Sequence, residues 1–529
     1  MRIRDVVIDA WSWLNYKPTM ANPRKPGGKL AELASSWAPE EEMRRLAAYK
    51  LLAGYDQTQA GQIAAATTGD DSALDRRELG DAPKLIDTAL QYLLGAEQTI
   101  VVLGAEHADE DSPPPGAAEA ATVQERLREW AEKELLPLRM QQTERSAVRC
   151  GDAVYTLAWE PSKGRALLRS YAPGFYFPEW PDDGEDSAEF PNRVHFAWEL
   201  PEDRAKGLKG RVRRITYELG PIGAATKPGQ TKDGLPRREW IYGTDGEPVL
   251  IVGDKLDADT GTVTRSYPWA AGKPSGVTCY LTDAEWLLED LKGPHTVFNL
   301  PEEKAAYRVR SDGEVLDGLD LMVDFIPVVH ITHSIPEPGE HWGRSALAPV
   351  LQGLDELAAT DTDSSAATGA PILSVSGART GVDRTTGQPK PLTVTAGSVF
   401  QLADGGRMDA LNTAPQLEEL RNLTDHLIDR VAVNSRVTAA GLGTLDATRL
   451  PSGYALQLAL GPLDALVGAM RLARAHKYAL LLRMVYRLHQ AGQVWPAGET
   501  LPAHIVFGPH TPTDRAAILE EVVKAVGGG

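Results

Sequence analysis

Three things are scarce in this sequence, and each scarcity excludes a class of protein. Cysteine is almost absent: Cys150 and Cys279 are the two in 529 residues. Two thiols exclude a cysteine-rich zinc site and allow one disulfide at most, which points to a reducing compartment. Positive charge is outweighed, with 55 Lys and Arg against 73 Asp and Glu and a net charge of −18. Proteins that grip nucleic acid by neutralising phosphates draw their affinity from counterion release, and an acidic chain is poorly equipped for that. Long apolar runs are also missing. No stretch reaches 18 apolar residues, and the opening "MRIRDVVIDAWSWLNYK" has no apolar signal core, so neither a membrane span nor a standard secretory leader is expected.

Catalytic signatures are scarce too. "GRSAL" at 343–347 lacks the second glycine of a nucleophile elbow. "RKPGGKL" at 24–30 has a Gly-Lys pair but no Ser or Thr to hold magnesium and no preceding strand, so it is not a phosphate loop. His330, His333 and His341 in "HITHSIPEPGEHWG" form the best metal candidate. On a strand, however, positions 330 and 333 face opposite ways, and separate hydrogen-bond partners are the simpler expectation. Glu418 and Glu419 are adjacent on a helix and do not face one another. No cofactor or metal is expected, and no enzyme activity.

What is present is a change of texture along the chain. A mostly helical region spans 28–150, with a helix over 83–94, a short strand over 99–103, a proline-rich linker over 107–121 and a helix interrupted near Pro137. Short β-branched and aromatic runs between Gly, Pro and Asp turns predict antiparallel β structure over 151–330, with one helix at 283–291. Two helices follow, over 343–370 and 415–436, with a small strand-and-turn excursion between them at 371–414. A glycine-rich loop at 437–453 leads into a helix over 452–490, on the order of 55 Å long, with a kink expected at Gly461-Pro462. Leu456, Leu460, Leu463, Val467 and Met470 make an apolar stripe along it, which Arg474 and Lys477 interrupt and Leu481, Met484 and Leu488 resume. The fold class expected is α+β.

Three stretches carry a family resemblance: "HWGRSALAPVLQGLDELAATDTDSS", "LEELRNLTDHLIDRVAVNSRVTAAGLGTLDATRLPSGYALQLAL" and "HIVFGPHTPTDRAAILEEVVKAV". With "LDRRELGDAPKLIDTALQYLLG", which matches more weakly, they make the chain resemble the portal proteins of tailed bacteriophages, in particular the Gram-positive siphophage type. The order of elements carries the likeness; no single motif does.

That resemblance implies a ring at one capsid vertex, twelve subunits in assembled particles, that acts as a channel for DNA packaging and ejection. It implies a homo-oligomer with the terminase large subunit, a head–tail adaptor, and major capsid and scaffolding proteins as partners. Double-stranded DNA would pass without sequence specificity. The expected location is the virion, with assembly in the host cytoplasm and no membrane involved. Carried onto this chain, 1–340 is a wing, 343–370 and 415–436 are stem helices, and 371–414 is a small β clip. The tunnel loop is 437–453, the tunnel helix 452–490, and the return to the wing 491–510. A short or absent crown is expected over 511–529.

Within that frame the loop residues are Gly441, Gly443, Thr444, Asp446, Arg449 and Gly453, small and adaptable beside a moving duplex. Asp355, Glu356, Asp361 and Asp363 on the first stem helix would form an acidic channel wall that repels phosphate. Arg436 and Arg449 are candidate DNA contacts, with solvated surface arginines as the alternative. Arg379, Asp383, Arg384 and Lys390 would present the clip's docking surface. The basic residues of the tunnel helix are expected to pair with acidic wing or neighbour surfaces. Two other readings are open: an acidic cytosolic oligomeric scaffold, and an enzyme whose active site lies unrecognised in the β region.

Overall fold

The computed structural model describes residues 37–39, 42–68, 76–181, 190–202, 207–257, 260–291, 294–369, 373–378, 402–410, 414–443 and 453–510. These residues form a mixed α+β structure, as expected. Helices α1 (Met43–Asp56), α2 (Ala60–Thr68) and α3 (Asp81–Leu94) come first, followed by strand β1 (Gln98–Val102). Helices α4 (Ala117–Lys133) and α5 (Leu136–Cys150) are separated by a break at Leu135, which sits in the left-handed region at φ 53°. The interruption expected near Pro137 is therefore real. Proline lacks the N–H a continuing helix would use, and it opens the next helix instead, where that donor is not needed.

The β-rich part has two main sheets. Strands β2 (Asp152–Glu160) and β3 (Arg165–Tyr171) belong to the first; β4 (Tyr176–Glu179), β5 (Arg193–Leu200) and β6 (Arg211–Pro221) belong to the second. Two small pairs follow, β7 (Thr226–Gln230) with β8 (Pro236–Trp240), and β9 (Lys255–Leu256) with β10 (Val263–Thr264). Strand β11 (Val277–Leu287) pairs antiparallel with β6 along its whole length, and the short β12 (Ala306–Tyr307) and β13 (Leu319–Asp320) flank it. Strand β14 (Val328–Thr332) completes the first sheet beside β2.

Strand β11 corrects the helix expected at 283–291. Asp283 and Glu285 alternate with the buried Ala284 and Trp286, a period of two. The carboxylates reach Arg213 and Arg211, themselves two apart on β6. Cross-strand charge pairing accounts for this alternation, and only the partner strand distinguishes it from a short acidic helix.

Helix α6 (Leu351–Gly369) begins eight residues later than expected, because Pro349 stands just before it and residues 346–350 form turns. A hairpin of β15 (Leu373–Ala378) and β16 (Leu402–Ala410) leads to α7 (Ala414–Ser435), which packs beside α6. A single turn, α8 (Thr438–Gly441), precedes the 39-residue α9 (Gly453–Ala491), which runs through Pro462. Finally β17 (Ala503–Phe507) returns to pair antiparallel with β1, some four hundred residues earlier in the chain.

One close approach locks the lead into α6 onto the sheet. Gly151 has φ 99°, and a Cβ on Gly343 would lie 2.2 Å from the Gly151 carbonyl oxygen and 3.0 Å from the His333 backbone nitrogen. That same carbonyl accepts the His333 N–H at 2.7 Å, so neither backbone can yield. Gly343→Ala is expected to cost at least about 2 kcal/mol, read as an earlier unfolding midpoint in urea; an unchanged midpoint would mean the crossing is loose in solution.

Candidate functional site

The long helix α9 is where the core, the paired helices α6 and α7 and the outer surface meet. Its first half buries Leu463, Val467 and Met470, each at most 2% exposed, among Leu85 and Ile86 of α3, Val148 of α5, Leu354 of α6 and Val431 of α7. Leu460 packs partly against this cluster; the side chain of Leu456 lies outside the described residues. The second half enters a different core, where Tyr478, Leu481, Met484 and Leu488 meet the β2 sheet and the β1–β17 pair. The stripe read from the sequence therefore packs inside the subunit.

The opposite face of α9 has no cover among the described residues. Leu458 and Leu472 are 63% and 67% exposed. Between them Gly461, Pro462, Ala465, Gly468 and Ala469 are exposed. A Cβ at Gly461 or Gly468 would meet nothing within 4 Å.

Arg474, which breaks the stripe, lies where the two cores join. Its side chain and that of Glu144 on α5 are both fully buried, with Nε donating to Glu144 Oε2 at 2.7 Å. Nη1 donates to the Met470 and His333 carbonyls. The other carboxylate oxygen of Glu144 accepts the Tyr478 hydroxyl at 2.6 Å, and Tyr155 stands 3.3 Å beyond. Each charge is thus matched and hydrogen-bonded, the condition a buried ion pair needs.

The other basic residues of α9 behave differently. Arg471 donates to the carbonyls of Tyr92, Leu93 and Gly508. It satisfies the C-terminal end of α3, whose last carbonyls have no partner in their own helix, and among the described residues it pairs with no carboxylate. Arg487 lies 3.9 Å from Asp324 and over the rings of Trp269 and Phe325.

Four acidic residues of α6 were expected to share one wall, but their settings differ. Asp355 accepts from the Tyr55 hydroxyl at 2.5 Å and Arg76 at 2.9 Å, and is largely enclosed. Burial raises its pKa above the ordinary carboxylate value, against the pull of those two partners. Glu356 and Asp363 are exposed, while Asp361 is half-buried with its pKa raised by burial and then by Asp81. On α7, Glu418, Glu419, Arg421, Asp425, Asp429 and Arg430 are exposed.

The glycine loop also divides. Val437 is buried in the same core as Leu463, and Arg436 is exposed with φ 60°, ending α7 in a left-handed turn. Gly441 serves packing more than freedom: a Cβ there would lie 3.2 Å from Leu463 Cδ2, and its carbonyl accepts the Tyr92 hydroxyl. Gly443, at φ 72°, needs the left-handed region. Gly453 opens α9. Thr444, Asp446 and Arg449 lie outside the described residues, as do Arg379, Asp383, Arg384 and Lys390, which were expected to form a docking surface.

No family model matches the chain, and no curated protein does. Among solved structures, a chain of the "Virion of native gene transfer agent (GTA) particle" aligns over 84% of this chain and 85% of its own, at 9% identity and a TM-score of 0.33. At that score the two chains share too little for any function to be transferred.

The three clustered histidines take separate partners. His330 Nε2 meets Asp152 at 2.8 Å, His341 stacks on Trp180 with ring centres 3.7 Å apart, and His333 is buried beside Arg474. Among the described residues no three His, Cys, Asp or Glu side chains converge as a metal site, and no helix is long and apolar enough to cross a membrane.

Burial, then the Arg474 charge, depresses His333 from 6.5 to about 3. Burial likewise takes His195 and His489 down to about 4. Unfolded, these imidazoles bind protons near 6.5 while the folded ones stay neutral, so the unfolded state holds more protons below that pH. Stability is therefore expected to be full above pH 6.5 and to fall as pH drops toward 4. His333→Gln should flatten part of that slope in urea titrations run across pH 4–7; an unaltered slope would show that His333 does not contribute.

Glu144 and Tyr478 were not singled out from sequence, yet a signal existed. Glu144 stands on the apolar face of α5 with Met140, Ala147 and Val148, as Arg474 does on α9. Two opposite charges, each misplaced on a buried face, are a legible pair.

Proposed function

We infer that this chain is the subunit of a phage-type portal ring, a non-enzymatic channel for double-stranded DNA. The observation that carries the reading is the division of α9. One face holds the subunit's two cores together, and the other, apolar and lined by small residues over several turns, is left open among the described residues. A monomer rarely leaves so regular an apolar helix face in water, and a neighbouring copy would cover it. The element order supports the same reading: paired helices α6 and α7 joined by a hairpin, a short turn, one very long helix, and a strand returning to β1.

In this reading α6 and α7 are the stem, the β15–β16 hairpin and its connection form the clip that docks the terminase and later the head–tail adaptor, and the wing meets capsid and scaffolding proteins. Glu356 and Asp363, exposed on α6, keep the channel wall from gripping DNA; Asp355 holds the stem to α1 through Tyr55 and to Arg76. The work is mechanical, and the virion vertex is its location.

Purified protein should sediment as particles of several hundred kilodaltons with a central hole by electron microscopy. Leu472→Glu is expected to leave the subunit folded, because that side chain touches solvent, yet shift the population strongly toward monomer. Rings of normal size and stability in that variant would remove the outer face of α9 from the interface.

A further inference from the structure

Near the end of α9 a second feature stands apart from the ring surfaces. Arg483 and Arg487 are one turn apart on the same side of the helix, and like charges so placed repel. Burial lowers the pKa of Arg487, and the charge of Arg483 lowers it further. Asp324 relieves Arg487 only loosely at 3.9 Å, since the Trp269 indole N–H also donates to it. Arg483 is exposed and, among the described residues, forms no ion pair or hydrogen bond.

These two arginines line a cleft of about 230 Å³ with Trp269, Glu499, Thr500 and Pro502. Among the described residues the Nε of Arg487 and the hydroxyl of Thr500 are buried without hydrogen-bond partners. Both can donate, and native proteins seldom leave such donors unmet. The cleft is smaller than the roughly 300 Å³ at which pockets for organic ligands begin, so it suits a small ion.

We propose that this cleft binds a phosphate-class oxoanion, held between the guanidinium groups of Arg483 and Arg487 with the Thr500 hydroxyl as a further donor. Guanidinium presents paired N–H groups that match phosphate oxygens, and an anion between the two arginines removes their mutual repulsion. Glu499 stands at the same cleft without pairing to either arginine, and its carboxylate opposes the ligand. The site belongs to the single chain and does not depend on ring assembly.

Calorimetric titration of the full-length protein with inorganic phosphate tests this, at constant ionic strength set by chloride. Saturable binding is expected in the wild type, weakened at least tenfold by Arg483→Gln and tightened severalfold by Glu499→Gln. Arg483 is exposed and unpaired, so its replacement should leave folding intact, checked by an unchanged urea midpoint. A short duplex oligonucleotide should not displace the phosphate, because the cleft admits one phosphate group and not a helix backbone. Absence of saturable binding, indifference to Arg483→Gln, or displacement by the duplex would each overturn the proposal.

Discussion

Replacing Arg474 with Met should unfold the subunit far more readily than any surface change on the same helix. Glu144 would then be a fully buried carboxylate with the Tyr478 hydroxyl as its remaining side-chain partner. Breaking a buried pair from one side costs about 3–5 kcal/mol, and the His333 and Met470 carbonyls would lose a donor as well. The double variant Arg474→Met/Glu144→Leu removes both charges together and is expected to recover most of that loss, since well-packed apolar replacements of buried ion pairs are often neutral or better. Urea midpoints of the single and double variants give the coupling directly. Equal loss in both would mean that shape at this junction, and not charge, holds α9 to α5.

A second large effect is expected from Leu463→Asp with Val467→Asp. Both side chains are buried among residues of α3, α5, α6 and α7, so two carboxylates would enter a core without partners. The cost should exceed about 5 kcal/mol, and the outcome is an unfolded subunit, not a folded monomer. Contrast with Leu472→Glu separates the faces of α9: the first change is expected to destroy the fold, the second only the proposed assembly. Circular dichroism beside sedimentation distinguishes them. Folded monomers from the double-aspartate variant would place the inner stripe at a subunit interface after all.

Order and type of the helices were legible because local rules produce them. The apolar spacing of α9, the break at Pro137 and the strand at β1 all rest on periodicity, proline chemistry or turn residues within a few positions. The start of α6 departs from the expected one for a similarly local reason, Pro349 just before it. Strand β11 was not legible, because the arginines that pair with its carboxylates lie some seventy positions away in the chain.

By itself the sequence determined that the chain is acidic, poor in thiols, without a long apolar run, and built as a helical start, a β-rich middle and a final long helix. Tertiary structure alone decided which face of each helix is inside. Arg474 could have been a surface cation until Glu144 from α5 met it in the core. Asp355 could have faced an open channel until Tyr55 and Arg76 enclosed it. A glycine could have meant freedom at 441 until Leu463 closed on it. Charge and size are properties of a residue, but burial is a property of the company that distant segments bring, and it is burial that sets what each charge costs and what it can do.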